Sequence, residues 1–268
     1  MIKIFKSLKF RESENKMKYV GNVKNAISDF ESKKNNNLLF LLKYRFSWMN
    51  KYIKKKDIGI EVGAGAGFSK YFIKNKNLLI TDILDNNHLD LKKIDAQNTN
   101  LEKNKYDFII ASNVIHHLSN PFIFFLEMHR ILKKNGRLIV FEQNCSILFQ
   151  LITYITKHEG FNFCINVFSK KNNLFPKKKP WLGNIAIANL LFDKQDVFHK
   201  NFGHIFKIEY HKYCECLIFL NSGGVYSKIF FIPLNNFFLK ILMYIDILLC
   251  YLLPGFFSLS RKVVIRKV

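Results

Sequence analysis

The stretch Asp57-Ile-Gly-Ile-Glu-Val-Gly-Ala-Gly-Ala-Gly-Phe-Ser-Lys-Tyr-Phe72 decides how the rest of the chain is read. A short run rich in β-branched residues ends at Glu61, and three glycines follow at alternate positions, Gly63, Gly65 and Gly67. A helical pattern then begins. Strand, tight turn and helix start, in that order, mark the end of an open α/β sheet where a nucleotide-like ligand lies. Glycine suits such a turn because it tolerates left-handed backbone angles and lets bare main chain approach a ligand. A dinucleotide fingerprint needs a small residue at its third glycine position, which counted from Gly63 is the bulky Phe68. What stands here instead is an acid, Glu61, two places before the first glycine.

The series Glu61-x-Gly63-x-Gly65-x-Gly67 resembles motif I of the class I S-adenosylmethionine (SAM) methyltransferases. The resemblance implies SAM as cofactor, with its amino and carboxylate groups over the glycine loop and Glu61 serving that end. Leu78 to Asp82 reads as the second strand, and Asp82 ends it fifteen residues beyond Gly67. A carboxylate there can accept both hydroxyl hydrogens of a ribose. Leu89 to Ile94 reads as a short third strand closed by Asp95-Ala96, where the resemblance implies an acidic residue near the adenine amino group. Tyr106 to Asn113 is apolar enough for a central strand covered on both faces. The expected cofactor-binding set is Glu61, Gly63, Gly65, Gly67, Asp82, Asp95, Ala96 and Asn113.

Ser119-Asn120-Pro121 opens a helix with a capping side chain and a proline in the first turn. Lys133-Lys134 suit its C-terminal dipole, Asn135-Gly136 stop it, and Arg137 to Glu142 is the next strand. The whole block, YDFIIASNVIHHLSNPFIFFLEMHRILKKNGRLIVFEQN over residues 106–144, is similar to the type 11 methyltransferase pattern, with Lys134-Asn135-Gly136 in place of the usual Pro-Gly-Gly. The resemblance covers residues 57–144. Beyond it, Tyr154, His158-Glu159, Gly183-Asn184, Ser222-Gly223-Gly224 and the final Arg261-Lys-Val-Val-Ile-Arg266 resemble a bacterial subgroup often found with surface-polysaccharide and lipopolysaccharide biosynthesis.

The 268 residues carry a net charge of +22, mostly from lysine. Such a surface favours nucleic acid, anionic lipid or acidic glycan. Lys, Asn, Ile and Phe are abundant throughout, however, so scattered solvated lysines account for the charge equally well. The five cysteines form no paired framework, and Cys214-Glu215-Cys216 lacks a second Cys/His pair at zinc spacing. Alternation along a strand would put both sulfurs on one face as buried thiols, and no metal site is expected. Met1 to Lys18 has no apolar core of a signal peptide, which together with the thiols points to a cytoplasmic protein.

The expected fold is α/β: a Rossmann-like, seven-stranded, doubly wound sheet with an antiparallel C-terminal strand and helical insertions. Residues 1–56 are an N-terminal helical segment, with a helix over Leu38–Ile53 after a loop at 33–37. Residues 57–144 are the SAM-binding core, and 145–268 complete the same domain. Within 145–200, the basic Lys177-Lys-Lys-Pro-Trp181 segment reads as an insertion over the active-site end of the sheet. Phe206 to His211 is the sixth strand, continuing irregularly toward Leu217. Phe237 to Leu259 is long enough to span a bilayer, but Lys240, Asp246 and Pro254 interrupt it. The residues after it read as a strand that belongs in the sheet. Core packing is therefore favoured, with contact at the inner face of the cell membrane as the alternative.

Methyl transfer to a hydroxyl or amine releases one proton, and histidine titrates in the right range to take it. The candidates are His158, paired with Glu159 in the insertion, and His117 beside His116, just past the fourth strand. The acceptor reading adopted is a small molecule, sugar or lipid-linked glycan. A prenylated quinone or other lipid is the alternative, and it would explain the apolar C-terminal region. RNA methylation is motivated by charge alone, since no RNA-binding module or Asn/Asp-Pro-Pro-Tyr/Phe signature is present.

Overall fold

The computed structural model describes residues 4–18, 21–175 and 181–268. Ten helices, two-residue and longer strands and a few 3-10 turns follow one another. In chain order these are β1 (Ser7–Leu8), α1 (Val23–Glu31), α2 (Asn36–Ser47), β2 (Gly59–Val62), α3 (Ser69–Phe72), β3 (Leu78–Ile80) and β4 (Tyr106–Ser112). There follow α4 (Pro121–Ile131), β5 (Leu132–Gln143), α5 (Ile147–Thr156), β6 (Phe161–Asn162), α6 (Ile187–Phe192) and α7 (Gln195–Phe202). The chain closes with β7 (Phe206–Cys214), α8 (Leu217–Leu220), α9 (Asn236–Leu252), α10 (Pro254–Phe257) and β8 (Ser260–Lys267).

Six strands form one sheet in the order β3-β2-β4-β5-β8-β7. The first four run parallel, while β8 is antiparallel to both its neighbours, β5 and β7. The period-2 alternation of the central strands shows why both faces are covered. Ile109, Ala111, Leu138, Val140, Val263 and Ile265 point to α4, α6 and α7, where Phe124, Phe125, Leu191 and Phe202 complete one core. Phe108, Ile110, Ile139, Phe141 and Val264 point the other way, to Val23 and Phe30 of α1 and Leu38 and Phe46 of α2. The last strand lies inside the sheet as expected, and the doubly wound architecture holds.

The sheet has six strands rather than seven. Where a third strand was expected at Leu89–Ile94, only an isolated bridge joins Leu91 to Thr81. The Asp90 carboxylate accepts the Ile80 N–H at 2.7 Å, taking the place that a strand's carbonyl would fill on the edge of β3. Lys93 then turns left-handed, at φ 56°, and the chain leaves the edge. A separate pair, β1 against β6, ties the N-terminal residues to the insertion.

Three other expectations shift. The stretch before residue 36 contains α1, whose buried Val23, Ala26 and Phe30 stand at helical spacing, and α2 already begins at Asn36 under an Asn35 cap. The helix α4 ends at Ile131, and β5 starts at once, with left-handed Asn135 inside its irregular first turn. Cys214 and Cys216 are both buried, yet not by strand alternation: β7 stops at Cys214, Glu215 is left-handed at φ 60°, and Cys216 caps α8. Glu215 itself receives a bidentate pair from Arg45 of α2, at 2.9 and 2.8 Å, with the guanidinium against the Phe141 and Phe219 rings.

The segment 237–259 is not core. Helix α9 buries only Leu239, Asp246 and Cys250, and an apolar stripe of Phe237, Ile241, Tyr244, Leu248 and Tyr251 faces solvent. Among the described residues no helix is long and apolar enough to cross a membrane. Asp246 has a structural task, because its carboxylate accepts the N–H groups of Cys216, Leu217 and Ile218 at 2.7–3.1 Å. Replacing it with alanine leaves three buried donors unpaired and should destabilise the fold by about 3 kcal/mol. Burial pushes its pKa from 3.8 up to about 6 despite those bonds. The folded chain therefore holds this proton where the unfolded chain does not, and stability falls as pH rises through that window. In thermal melts, the wild type should gain stability relative to Asp246→Asn as pH drops from about 6 to about 4.

Candidate active site

At the carboxyl ends of β2, β3, β4 and β5 a single cavity of about 340 Å³ opens. Its floor is the loop after β2. Gly63 and Gly65 are left-handed, at φ 66° and 54°, and neither could carry a side chain. A Cβ on Gly63 would fall 2.3 Å from Val114, and one on Gly65 would fall 2.3 Å from the Tyr226 hydroxyl. Glu61, Gly63, Gly65, Asp82, Asp95, Ala96, Asn113, His117 and His158 all line the cavity, so the structure brings together nearly every residue singled out from sequence. Gly67 is the exception: it lies beneath the wall, against Ile80.

Glu61 is buried and accepts a hydrogen bond from the Ser69 hydroxyl at the start of α3. Burial, reinforced by Asp82, pushes its pKa up to about 8. Asp82 is held by two backbone donors, Gly65 N–H on one oxygen and Leu84 N–H on the other, each at 2.9 Å. Each oxygen keeps a second lone pair for a ligand. Asp95 accepts the Gln97 N–H at 2.8 Å. Asn113, left-handed at φ 54°, donates its N–H to Phe141 at 2.7 Å and turns the chain away from β4.

The opposite end of the cavity is built around histidines on a 3-10 turn, Ile115–His117. Glu142, fully buried at the tip of β5, accepts the N–H groups of Val114 and Ile115 at 2.7 and 2.6 Å and pairs with His116 Nδ1 at 2.7 Å. His117 Nδ1 donates to the Leu182 carbonyl at 3.0 Å. Both Nε2 atoms therefore face Glu159, at 3.9 Å from one carboxylate oxygen each. Glu159 reaches this point because Gly160 bridges to Asn184, whose N–H in turn bonds the His116 carbonyl at 2.9 Å. Its own backbone is left-handed, at φ 52°.

Charge at this end follows from burial and neighbours. Burial opposes a charge on His116, but Glu142 outweighs it and the pKa is raised. Burial and the adjacent His116 push His117 down to about 4, so it is neutral near pH 7. Glu159 is held below its usual value by the three imidazoles around it, although burial pulls the other way. His158 stands on the far side of Glu159, at 3.8 Å, with the Asn15 amide nitrogen 3.1 Å from its Nδ1.

Trp181 lies over the cavity as expected of its segment, but sequence reading missed Tyr226, its partner in the roof. Tyr226 packs over the glycine loop and accepts the Ala66 N–H at 2.8 Å, while Trp181 lies between it and His117, tilted against the first ring and edge-on to the second. The signal was present two residues earlier, in Gly223 and Gly224, both left-handed at φ 84° and 86°. Lys177 to Pro180 of the expected lid lie outside the described residues.

The cavity fits SAM in its chemistry: bare main chain at the glycine turn, carboxylates at the ends of β2 and β3 and at Asp95 in the loop beyond, and an apolar wall between them. Residues 60–140 match the Methyltransf_11 family, described as a methyltransferase domain. No curated protein matches the chain. A SAM-dependent methyltransferase from Archaeoglobus fulgidus is similar in structure, with a TM-score of 0.50 at 17% identity over 90% of this chain and 99% of that one. A possible histamine N-methyltransferase from Thermotoga maritima gives a TM-score of 0.45 at 18% identity over 90% and 95%. The doubly wound fold, the glycine loop with its acid and the family match converge: residues 60–140 form a methyltransferase domain, and the enzyme uses SAM as its cofactor.

Proposed function

We propose that this enzyme methylates a hydroxyl group of a sugar or glycolipid acceptor, in the synthesis of cell-surface polysaccharide. The observation that carries the reading is the composition of the histidine end. There the Trp181 indole lies edge-on to His117, and Glu159, Gln143 and His158 line the same cavity, an aromatic wall with several polar groups, as suits a sugar. When bound, SAM supplies an electrophilic methyl on its sulfonium. The chain's task is then to hold the acceptor in line and to manage one proton. His117 is the better placed of the two histidines singled out, because its Nδ1–H is committed to Leu182 and its Nε2 lone pair faces the cavity. His158 has its Nδ1 directed at Asn15 instead.

A second reading, a prenylated quinone or other lipid acceptor, draws on the surface. Helix α5 presents Phe149, Ile152, Thr153 and Thr156 to the cavity and Leu151, Tyr154 and Ile155 to solvent. It packs against α10, which packs against α9, so the cavity lies one helix away from an exposed apolar face. With a net charge of +22, that face suits an anionic bilayer, and residues 237–259 would rest on its surface.

Three measurements test these assignments. By calorimetry, Gly65→Arg should abolish SAM binding and Asp82→Ala should weaken it at least tenfold; unchanged affinity in both would remove the cofactor site from this cavity. Glu61 must ionise to hold the cofactor's ammonium group, so SAM affinity should rise with pH toward about 8, and Glu61→Gln should flatten that rise. With labelled SAM, nucleotide sugars and lipid-linked sugars should accept label, and His117→Gln should lower kcat at least tenfold while leaving SAM affinity intact. Label entering only quinone-type lipids would favour the second reading.

A further inference from the structure

We propose that His116, His117 and Glu159 form a binding site for one divalent first-row metal ion at the acceptor end of the cavity. The three side chains offer two imidazole nitrogens and one carboxylate oxygen, all within 4.8 Å of one another. Each imidazole is already oriented as a ligand. Glu142 fixes His116 through Nδ1 at 2.7 Å, and the Leu182 carbonyl fixes His117 through Nδ1 at 3.0 Å. A carboxylate or carbonyl on the outer nitrogen is the usual support for a metal-bound histidine, because it sets the tautomer that leaves the Nε2 lone pair inward.

On the inner face of this cluster the Gln143 side chain bonds Glu159, but His116 is left unsatisfied. His116 Nε2 is buried and has no hydrogen-bond partner among the described residues. Its distance to Glu159, 3.9 Å, is too long for a hydrogen bond. Around a zinc ion with bonds of about 2.1 Å, tetrahedral ligand atoms stand roughly 3.4 Å apart, so three atoms now within 4.8 Å of one another need approach by no more than about 1.4 Å to close the site. Gln143 Oε1, a second buried acceptor without a partner among the described residues, lines the same cavity.

Local folding is arranged to bring these groups together. The two histidines are consecutive on a 3-10 turn with their rings 4.0 Å apart. The Gly183 main chain presses on both, where a Cβ would fall 3.1 Å from each ring. Glu159 accepts a left-handed backbone to face them, a conformation a non-glycine residue adopts only at a cost. Two carboxylates, Glu159 directly and Glu142 through His116, balance the charge of a divalent ion in spite of the basic surface. Three protein ligands leave coordination positions open, and these would take an oxygen of the acceptor. With an ion in place His117 would hold it, and the ion would ease loss of the acceptor's proton, the task His117 performs alone in the metal-free site; the inference deepens the acceptor reading and rests on it for the ion's role. Binding of the ion does not depend on that reading.

The test is metal uptake by the full chain. After chelator treatment, the protein is titrated with Zn²⁺ by calorimetry and with Co²⁺ by visible absorption. One ion per chain is expected, with Co²⁺ bands of a four- or five-coordinate site. His117→Gln and Glu159→Gln should each weaken binding at least tenfold, and Glu142→Gln by about tenfold through the loss of orientation. Thermal melting and SAM affinity verify that each variant is folded. His117 is partly exposed, so its variant carries the test if a change at the buried positions prevents folding. A stripped wild type that takes up no ion would overturn the site, as would unchanged affinity in folded His117→Gln and Glu159→Gln. Failure of SAM binding, by contrast, would remove the methyltransferase reading and leave the metal result standing.

Discussion

One buried carboxylate organises the working end of this molecule. Glu142 has no exposure to solvent; beside a longer bond from the Gln143 N–H at 3.3 Å, three close donors are fixed around it, the N–H groups of Val114 and Ile115 and the His116 ring. Those donors belong to the chain leaving β4, so the side chain at the tip of β5 determines the path of its neighbour's exit loop. Val114 is thereby pressed against Gly63, and His116 is aimed across the cavity. The glycine turn and the histidine turn are thus set by the same interaction.

The segments that complete the site reach it through polar fastenings rather than through the main core. Asn184 joins the insertion to the histidine turn and to Asn162, which positions Glu159. Arg45 and Glu215 join α2 to the chain after β7, beneath the same cavity, and Ser260 of β8 donates to Glu215 at 3.0 Å. Breaking a buried pair of this kind leaves one charge uncompensated, which typically costs 3–5 kcal/mol. Aromatic residues then close the roof, with Tyr226 over the glycine turn and Trp181 against it.

Where the sequence was legible, the pattern was local. The glycine turn, Glu61, Asp82 and the alternating apolar runs of β4 and β5 all announce themselves within a dozen residues, and the structure places them where their spacing implied. What the sequence hid depends on partners far along the chain. The role of Glu142 requires the geometry of a neighbouring strand, and Tyr226 lies 160 residues from the N–H it bonds. The third strand failed because an aspartate side chain replaced a backbone partner, which periodicity does not register. Cys214 and Cys216 drew attention as a possible pair, while the residue between them carried the buried charge. The apolar C-terminal helix read as core because hydrophobicity was visible and exposure was not.

The position of β8 has a consequence for how the chain acquires its fold. Residues 260–267 lie between β5 and β7, so the central sheet stays divided until this segment has followed the rest of the sheet out of the ribosome. Until then β5 offers an open, apolar edge to any strand that approaches, including one from another nascent chain. A chain stalled before residue 260 keeps that edge uncovered.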